Sequence, residues 1–174
     1  PAIVAWVRNE LGKPLGGWRS YGPWAYHEKS VDDEYLLDDK VKILVPNTEK
    51  KIRVIDAINR LRGDLSTSNS SVRIVGLSGV GKTRFVQALF DNRIATANLP
   101  LDQDNVLYTG LSDNPSPQPT AMLEALILEG SESVVVVDNC GQDVHQNLTE
   151  IVKRPDSRVR LVTVEYDIRD NLPE

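Results

Sequence analysis

Apolar positions along the chain change their period several times, and each change marks a predicted element. Residues 72–75 (Val-Arg-Ile-Val) read as a buried strand, and residues 84–90 (Arg-Phe-Val-Gln-Ala-Leu-Phe) carry apolar side chains at helical spacing. Upstream, residues 41–45 read as a short strand stopped by Pro46. Behind it Ile52, Ile55, Ile58 and Leu61 repeat on one helix face over about 48–63, with Asn47 or Thr48 as the cap and Gly63-Asp64 as the stop. Downstream come a strand at 105–108, a helix at 120–129, a strand at 133–137, a helix at 144–153 and a strand at 158–164. The stretch 112–119 holds Pro115, Pro117 and Pro119 and is predicted to be irregular. Strands alternating with helices predict an α/β fold of three layers, α/β/α, whose mostly parallel sheet is covered on both faces. No internal repeat interrupts this pattern.

Residues 1–40 break it. All three tryptophans (Trp6, Trp18, Trp24) lie here with Tyr21, Tyr26 and Tyr35, around a turn-rich run from Gly12 to Gly17. A short helix is predicted over 2–11, and residues 17–24 are too rich in glycine and proline for regular structure. Rings interleaved with Arg19 and Lys29 suit stacking on bases, but Asp32, Asp33, Glu34, Asp38 and Asp39 would repel phosphate. The expectation is an irregular linker or docking segment over 1–40, its rings packed on a neighbouring domain or a second copy of the chain, ahead of one domain over 41–174.

Composition narrows the class. With 174 residues the chain is long enough for one α/β domain with a real core. Twenty basic against 25 acidic residues give a net charge of −5, which argues against nucleic acid or an anionic membrane as partner. No apolar run approaches the roughly 20 residues that span a bilayer, and no secretory leader opens the chain. Cys140 is the single cysteine, which excludes an internal disulfide, suits a reducing cytoplasm and reads as a packed thiol. A start at Pro1 without methionine and an end just after a strand suggest a piece of a larger protein.

The chemistry sits between the strand at 72–75 and the helix at 84–90. Gly76-Leu77-Ser78-Gly79-Val80-Gly81-Lys82-Thr83 fits the phosphate-binding pattern G-x-x-x-x-G-K-[ST] at every fixed position. Glycines let the backbone curl so that successive N–H groups point inward, and the helix start adds donors and partial positive charge. Gly76, Ser78, Gly79, Val80, Gly81, Lys82, Thr83 and Arg84 are thus the candidate nucleotide contacts. Lys82 would reach the β- and γ-phosphates, and the Thr83 hydroxyl would hold a magnesium ion.

Val134-Val135-Val136-Val137-Asp138 supplies the second half: a β-branched strand ending in an acid that would order the same magnesium. Thr83 and Asp138 are the candidate metal residues, and Lys82, Asp138 and Asn139 the candidate catalytic ones. Asn139 stands where many ATPases carry a second acid; an amide can hold a water but cannot take its proton. Asp143 could substitute, although capping of the helix at 144–153 is its expected role, and His145 is expected to be solvated on that helix. Asp138-Asn139-Cys140-Gly141 also matches the short GTPase pattern D-x-x-G. The strand at 160–164 runs into Glu165-Tyr166-Asp167 with no Asn-Lys pair to read guanine, so GTP is rejected.

Residues 75–83, 135–140 and 157–163 together resemble the signal-transduction ATPases with numerous domains, the STAND class that includes the NB-ARC and NACHT groups and many bacterial antiphage sensors. The resemblance covers roughly 41–170. It implies a P-loop NTPase fold, ATP or ADP with magnesium as cofactors, a signalling or defence role, and an adenine site near Val45-Pro46-Asn47. It further implies partners in other domains of a longer protein, and self-association on a trigger. Val164-Glu165 stands where the family's Thr-Arg would be, so its γ-phosphate arginine is absent; Arg169 lies a few residues on. The implied function is an ATP-binding switch with slow or triggered hydrolysis. The alternative is a small-molecule or nucleotide kinase, which uses a similar loop but needs an arginine-rich lid; the 112–119 loop has no arginine. A nucleic-acid-dependent ATPase is disfavoured by the acidic balance.

Overall fold

Four consecutive valines, Val134 to Val137, leave a strand no polar side chain to turn toward water, so both faces must be covered. They make up most of strand β6 (Val134–Asp138), and none is more than 1% exposed. In the computed structural model, which describes residues 3–4, 7, 16–25, 42–45, 48–76 and 81–166, this strand lies at the centre of a five-stranded sheet. Its order is β1 (Trp18–Ser20), β5 (Val106–Gly110), β6, β7 (Arg160–Tyr166), β4 (Ser71–Gly76). Strands β5, β6, β7 and β4 are parallel; β1 runs antiparallel along β5 with Arg19 opposite Tyr108.

Alternation along β6 divides the interior in two. Val134 and Val136 enter one core with Ile58, Phe85, Val86 and Val162. Val135 and Val137 enter the other with Leu123, Leu126, Leu148 and Leu161. The first core is closed by α1 (Tyr21–Ala25), α2 (Val54–Leu65) and α3 (Lys82–Leu89), the second by α4 (Pro119–Glu129) and α5 (Gln142–Val152). The predicted three layers and mostly parallel sheet are therefore present, compatible with a P-loop-like α/β fold. No helix of the described residues is long and apolar enough to cross a membrane.

Four local expectations are corrected. Helix α2 begins at Val54, not near Thr48, because Lys51–Arg53 is strand β3, paired antiparallel with β2 (Lys42–Leu44) in a separate hairpin. Thr48 builds that hairpin's turn: its hydroxyl donates to the Val45 carbonyl at 2.9 Å and accepts from the Lys50 N–H at 3.2 Å. Ile52 satisfies strand and helix periods alike, and pairing with Ile43 decides between them. The helix also runs through Gly63 to Leu65; a Cβ on Gly63 would lie 2.9 Å from the Asn98 amide nitrogen, so the glycine serves packing, not termination.

Residues 17–24 are not irregular. Trp18 is 1% exposed in β1, and its indole N–H donates to the Pro117 carbonyl at 2.8 Å. Gly16 makes the approach possible: it sits at φ +52°, and a Cβ there would fall 2.1 Å from the Ser116 carbonyl oxygen. Trp24, in α1, is buried in the first core. The described rings of this segment thus pack into the domain's own interior; Trp6, Tyr26 and Tyr35 lie outside the described residues, as does most of the helix expected over 2–11. Finally, β4 is not a fully buried strand. Among the described residues it has β7 on one side only, and Val75 is 44% exposed.

Arg62 ties α2 to the end of α3 in the first layer. Its buried guanidinium donates to the carbonyls of Ala88, Leu89, Asp91 and Ile94 and to the Thr96 hydroxyl, at 2.7–3.1 Å. These carbonyls include the C-terminal end of α3, where a cation also meets the negative end of the helix dipole. Arg62→Met is expected to lower the unfolding free energy by about 3 kcal/mol, because several buried carbonyls lose their donor at once. Urea unfolding checks this against Arg53→Ala, which breaks an exposed pair with Asp56 and should leave the midpoint near that of the wild type. Equal midpoints for both variants would contradict the assignment.

Candidate functional site

Because β4 to β7 are parallel, their carboxyl ends, Gly76, Gly110, Asp138 and Tyr166, open at one edge of the sheet. That edge is where open α/β sheets build their sites. After β4 the chain re-enters regular structure at Gly81, whose φ of +82° suits glycine and turns the backbone into α3. The first bond of that helix runs from the Phe85 N–H to the Gly81 carbonyl at 2.9 Å. Lys82 therefore stands at the helix start, and its Nζ donates back to the Gly76 carbonyl at 2.7 Å, clasping the two ends of the loop. Ser78, Gly79 and Val80 lie outside the described residues.

Lys82 and Asp138, far apart in sequence, are brought close enough for their charges to act on one another. Partial burial lowers the Lys82 pKa, and the Asp138 carboxylate works against that shift. Strand β7 separates β4 from β6, so the two strand axes are about 10 Å apart. Thr83 is exposed in the first turn of α3. A hydroxyl and a carboxylate are hard oxygen donors, and with phosphate oxygens and water they suit magnesium. Among the described residues there is no group of three or more His, Cys, Asp or Glu that could hold a metal ion.

The side chain of Arg84 reaches a buried acid at the far end of α3. Its Nη2 is 3.5 Å from Asp91, a 1% exposed carboxylate that Arg93 also grips at 2.7 Å. Burial works to raise the Asp91 pKa, but Arg93, with Arg84 behind it, holds it below the ordinary carboxylate value. What Arg84 can offer a phosphate is its backbone N–H in the first helical turn.

On the acid side, both Asp138 oxygens are engaged. Oδ1 accepts from the Asn139 N–H at 2.8 Å and Oδ2 from the Tyr108 hydroxyl at 3.0 Å. Asn139 sits at φ +53°, a conformation asparagine tolerates, and its exposed amide donates to the Ser112 hydroxyl at 3.1 Å. It stands beside the acid, its backbone on Asp138 and its amide on Ser112.

Tyr108 and Ser112 were not singled out by the sequence pattern. The available signal was slight: Tyr108 shares a strand face with Gly110, which lies opposite Asp138. A third missed residue is Arg73, which forms an ion pair with Glu165 across β4 and β7. Its Nη1 also donates to the Cys140 carbonyl at 3.1 Å. An arginine thus does stand near the acid's turn, but it arrives from β4 and is held by Glu165. Arg169, Pro46 and Asn47 lie outside the described residues; Val45 is buried beside the β2–β3 hairpin.

Two further expectations change. Asp143 is in the first turn of α5, whose cap residue is Gly141, so it complements the helix dipole and does not cap. His145 is half-buried: Nδ1 lies 2.7 Å from the Thr163 hydroxyl, and Nε2 lies 3.4 Å from that of Thr149. Burial, reinforced by the Arg73 charge, lowers its pKa.

No protein-family profile matches the sequence, and no curated protein matches it. Among solved structures the chain is similar to that of Rhizobiales Trip13, with 14% identity and a TM-score of 0.39. The match covers 68% of this chain and 45% of that one, so it spans less than half of the solved chain. A likeness of that extent decides nothing about the site.

Cys140, directly behind the acid, is fully buried in the second core, and burial pushes its thiol up to about 11 with Arg73 opposing the shift. At neutral pH almost none of it is thiolate, the reactive form. A colorimetric thiol reagent should label no cysteine in native protein and one after denaturation. Rapid labelling of the native state would show that this strand end opens in solution.

Proposed function

We propose that the chain is an ATP- or ADP-binding regulatory module, a STAND-like switch within a longer protein, with slow hydrolysis of its own. What supports the reading is one juxtaposition: Lys82, at the start of a helix entered through Gly81, shares charge with Asp138 at the same edge of a mostly parallel sheet. A complete G-x-x-x-x-G-K-[ST] sequence between β4 and α3 gives that geometry its ligand class. In this reading the 76–83 backbone cradles the phosphates and Lys82 leaves the Gly76 carbonyl to meet the β/γ oxygens. Thr83 and Asp138 would hold a magnesium ion, whose charge offsets that of the triphosphate. Other domains of the same protein, and further copies of the chain when triggered, are the proposed partners.

Slow hydrolysis follows from the residues around the acid. Asn139 can orient a water but cannot accept its proton. Glu165 is committed to Arg73, and that arginine is committed to the Cys140 carbonyl. An arginine aimed at the transferring phosphate contributes roughly 10³–10⁵ in rate, so a site whose nearby arginine, Arg73, is engaged elsewhere binds far better than it turns over. A regulatory module needs that separation, since the bound state must outlast the signal.

Calorimetry tests binding. Lys82→Ala should weaken ATP and ADP at least about tenfold, with little change in thermal stability, because the lysine head bonds a carbonyl at the site and is not core. Equal affinity in wild type and variant would contradict the reading, and tighter GTP than ATP binding would point to guanine recognition instead.

Single-turnover hydrolysis at saturating ATP is expected to run below about 1 s⁻¹, under the ordinary enzyme range. Asn139→Asp supplies a base beside Asp138 and should raise the rate. A fast wild type would mean that the site is already complete; an unchanged variant would place the attacking water elsewhere.

A further inference from the structure

We propose that Tyr108 is a positioning residue for the Asp138 carboxylate and that its stack on Trp24 lets helix α1 set how strongly the site takes magnesium with nucleotide. The inference rests on the nucleotide reading above and concerns a part of the chain that reading does not use. It starts from strand register. Tyr108 lies opposite Val136, and Gly110 lies opposite Asp138. Tyr108 and Gly110 therefore share a face, and the tyrosine reaches diagonally along the ladder to the acid. The tyrosine passes close over Gly110: a Cβ built there would lie 3.8 Å from the Tyr108 hydroxyl oxygen, an ordinary contact.

The resulting contact orients the acid. The Tyr108 hydroxyl donates to Oδ2 at 3.0 Å while the Asn139 N–H holds Oδ1 at 2.8 Å. With one donor on each oxygen the carboxylate cannot rotate freely, yet each oxygen keeps a lone pair for a metal-bound water. A hydrogen bond to a charged acceptor in a half-buried setting is among the stronger ones a side chain makes.

Trp24 fixes the ring in turn. Its indole stacks on Tyr108 with centroids 4.5 Å apart and planes 11° from parallel. The same short helix holds the phosphate side. Tyr21 donates to the Gln87 carbonyl at 2.9 Å, and the Gln87 amide donates to the Trp24 carbonyl at 3.3 Å. Gln87 belongs to α3, which begins at Lys82 and Thr83. Helix α1 thus touches both halves of the site, the helix behind the phosphate loop and the tyrosine behind the metal acid. A displacement of α1 would loosen Asp138 without removing any group that meets the nucleotide.

The test is the magnesium dependence of ADP affinity, measured by calorimetry in magnesium and again in EDTA, with thermal unfolding run on every variant. Tyr108→Phe keeps the ring and removes the hydroxyl. It should shrink the gain from magnesium about tenfold, the contribution of one hydrogen bond to a charged group. Affinity in EDTA should change by no more than about twofold, a split that a general loss of structure would not produce. Trp24→Leu keeps the hydroxyl but frees the ring, and should shrink the gain by a smaller factor. A full magnesium gain in Tyr108→Phe, or equal losses with and without the metal, would overturn the inference and leave nucleotide binding standing. A wild type that binds no nucleotide would overturn both. If Trp24→Leu does not fold, Tyr108→Phe alone decides.

Discussion

Burial of β6 on both faces is the constraint on which the rest of the molecule depends. A strand of four valines can satisfy its backbone only in a ladder and its side chains only between two apolar layers. Neighbours on both sides follow, β5 and β7, and then helices above and below. Parallel strands that return through helices bring their carboxyl ends to one edge. Gly76 and Asp138 lie at the same edge for that reason, and not through any direct attraction between the segments that carry them.

Polar ties then fix the pieces that burial alone would leave free to slide. Arg62 binds the C-terminal turn of α3 and the chain after it, while Lys82 closes the other end of the same helix onto Gly76. Beyond Asp138, Arg73 with Glu165 and the Cys140 carbonyl holds the turn that follows the acid. Arg62 and Arg73 each bring one charge to more than one acceptor away from bulk water, where a missing partner costs far more than a formed bond contributes. The proposed site is consequently framed by rigid elements on both flanks, as a group that must meet phosphate and metal in one geometry requires.

The aromatic segment ahead of the domain changes how the site is understood. Read by itself, 17–24 looks like a turn-rich linker with exposed rings. In the structure Trp18 closes one core and Tyr21 and Trp24 close the other, so β1 and α1 straddle the free edge of β5. Local composition misled because glycine and proline disfavour regular structure only when nothing else compensates. Here Trp18 brings its own buried area and a bond to Pro117. The same override moved the start of α2: Ile52 fits a helix face, but pairing with Ile43 holds it extended.

What the sequence determined by itself was set by neighbours along the chain. The valine run, the glycine spacing ahead of Lys82 and the helical period of 84–90 specify a buried strand, a loop able to curl and a helix to follow it, whatever surrounds them. The places of Lys82 at a helix start and of Asp138 at a strand end were legible for that reason. Tertiary structure alone decided which side chains attend them. Tyr108 reaches Asp138 only because β5 lies beside β6 in one register, and Arg73 finds Glu165 only because β7 lies between β4 and β6. Arg84 turns to Asp91, and His145 to Thr163, for the same kind of reason. Hydrogen bonds and ion pairs act over a few ångströms in space, and no local pattern encodes which distant residue will occupy that distance.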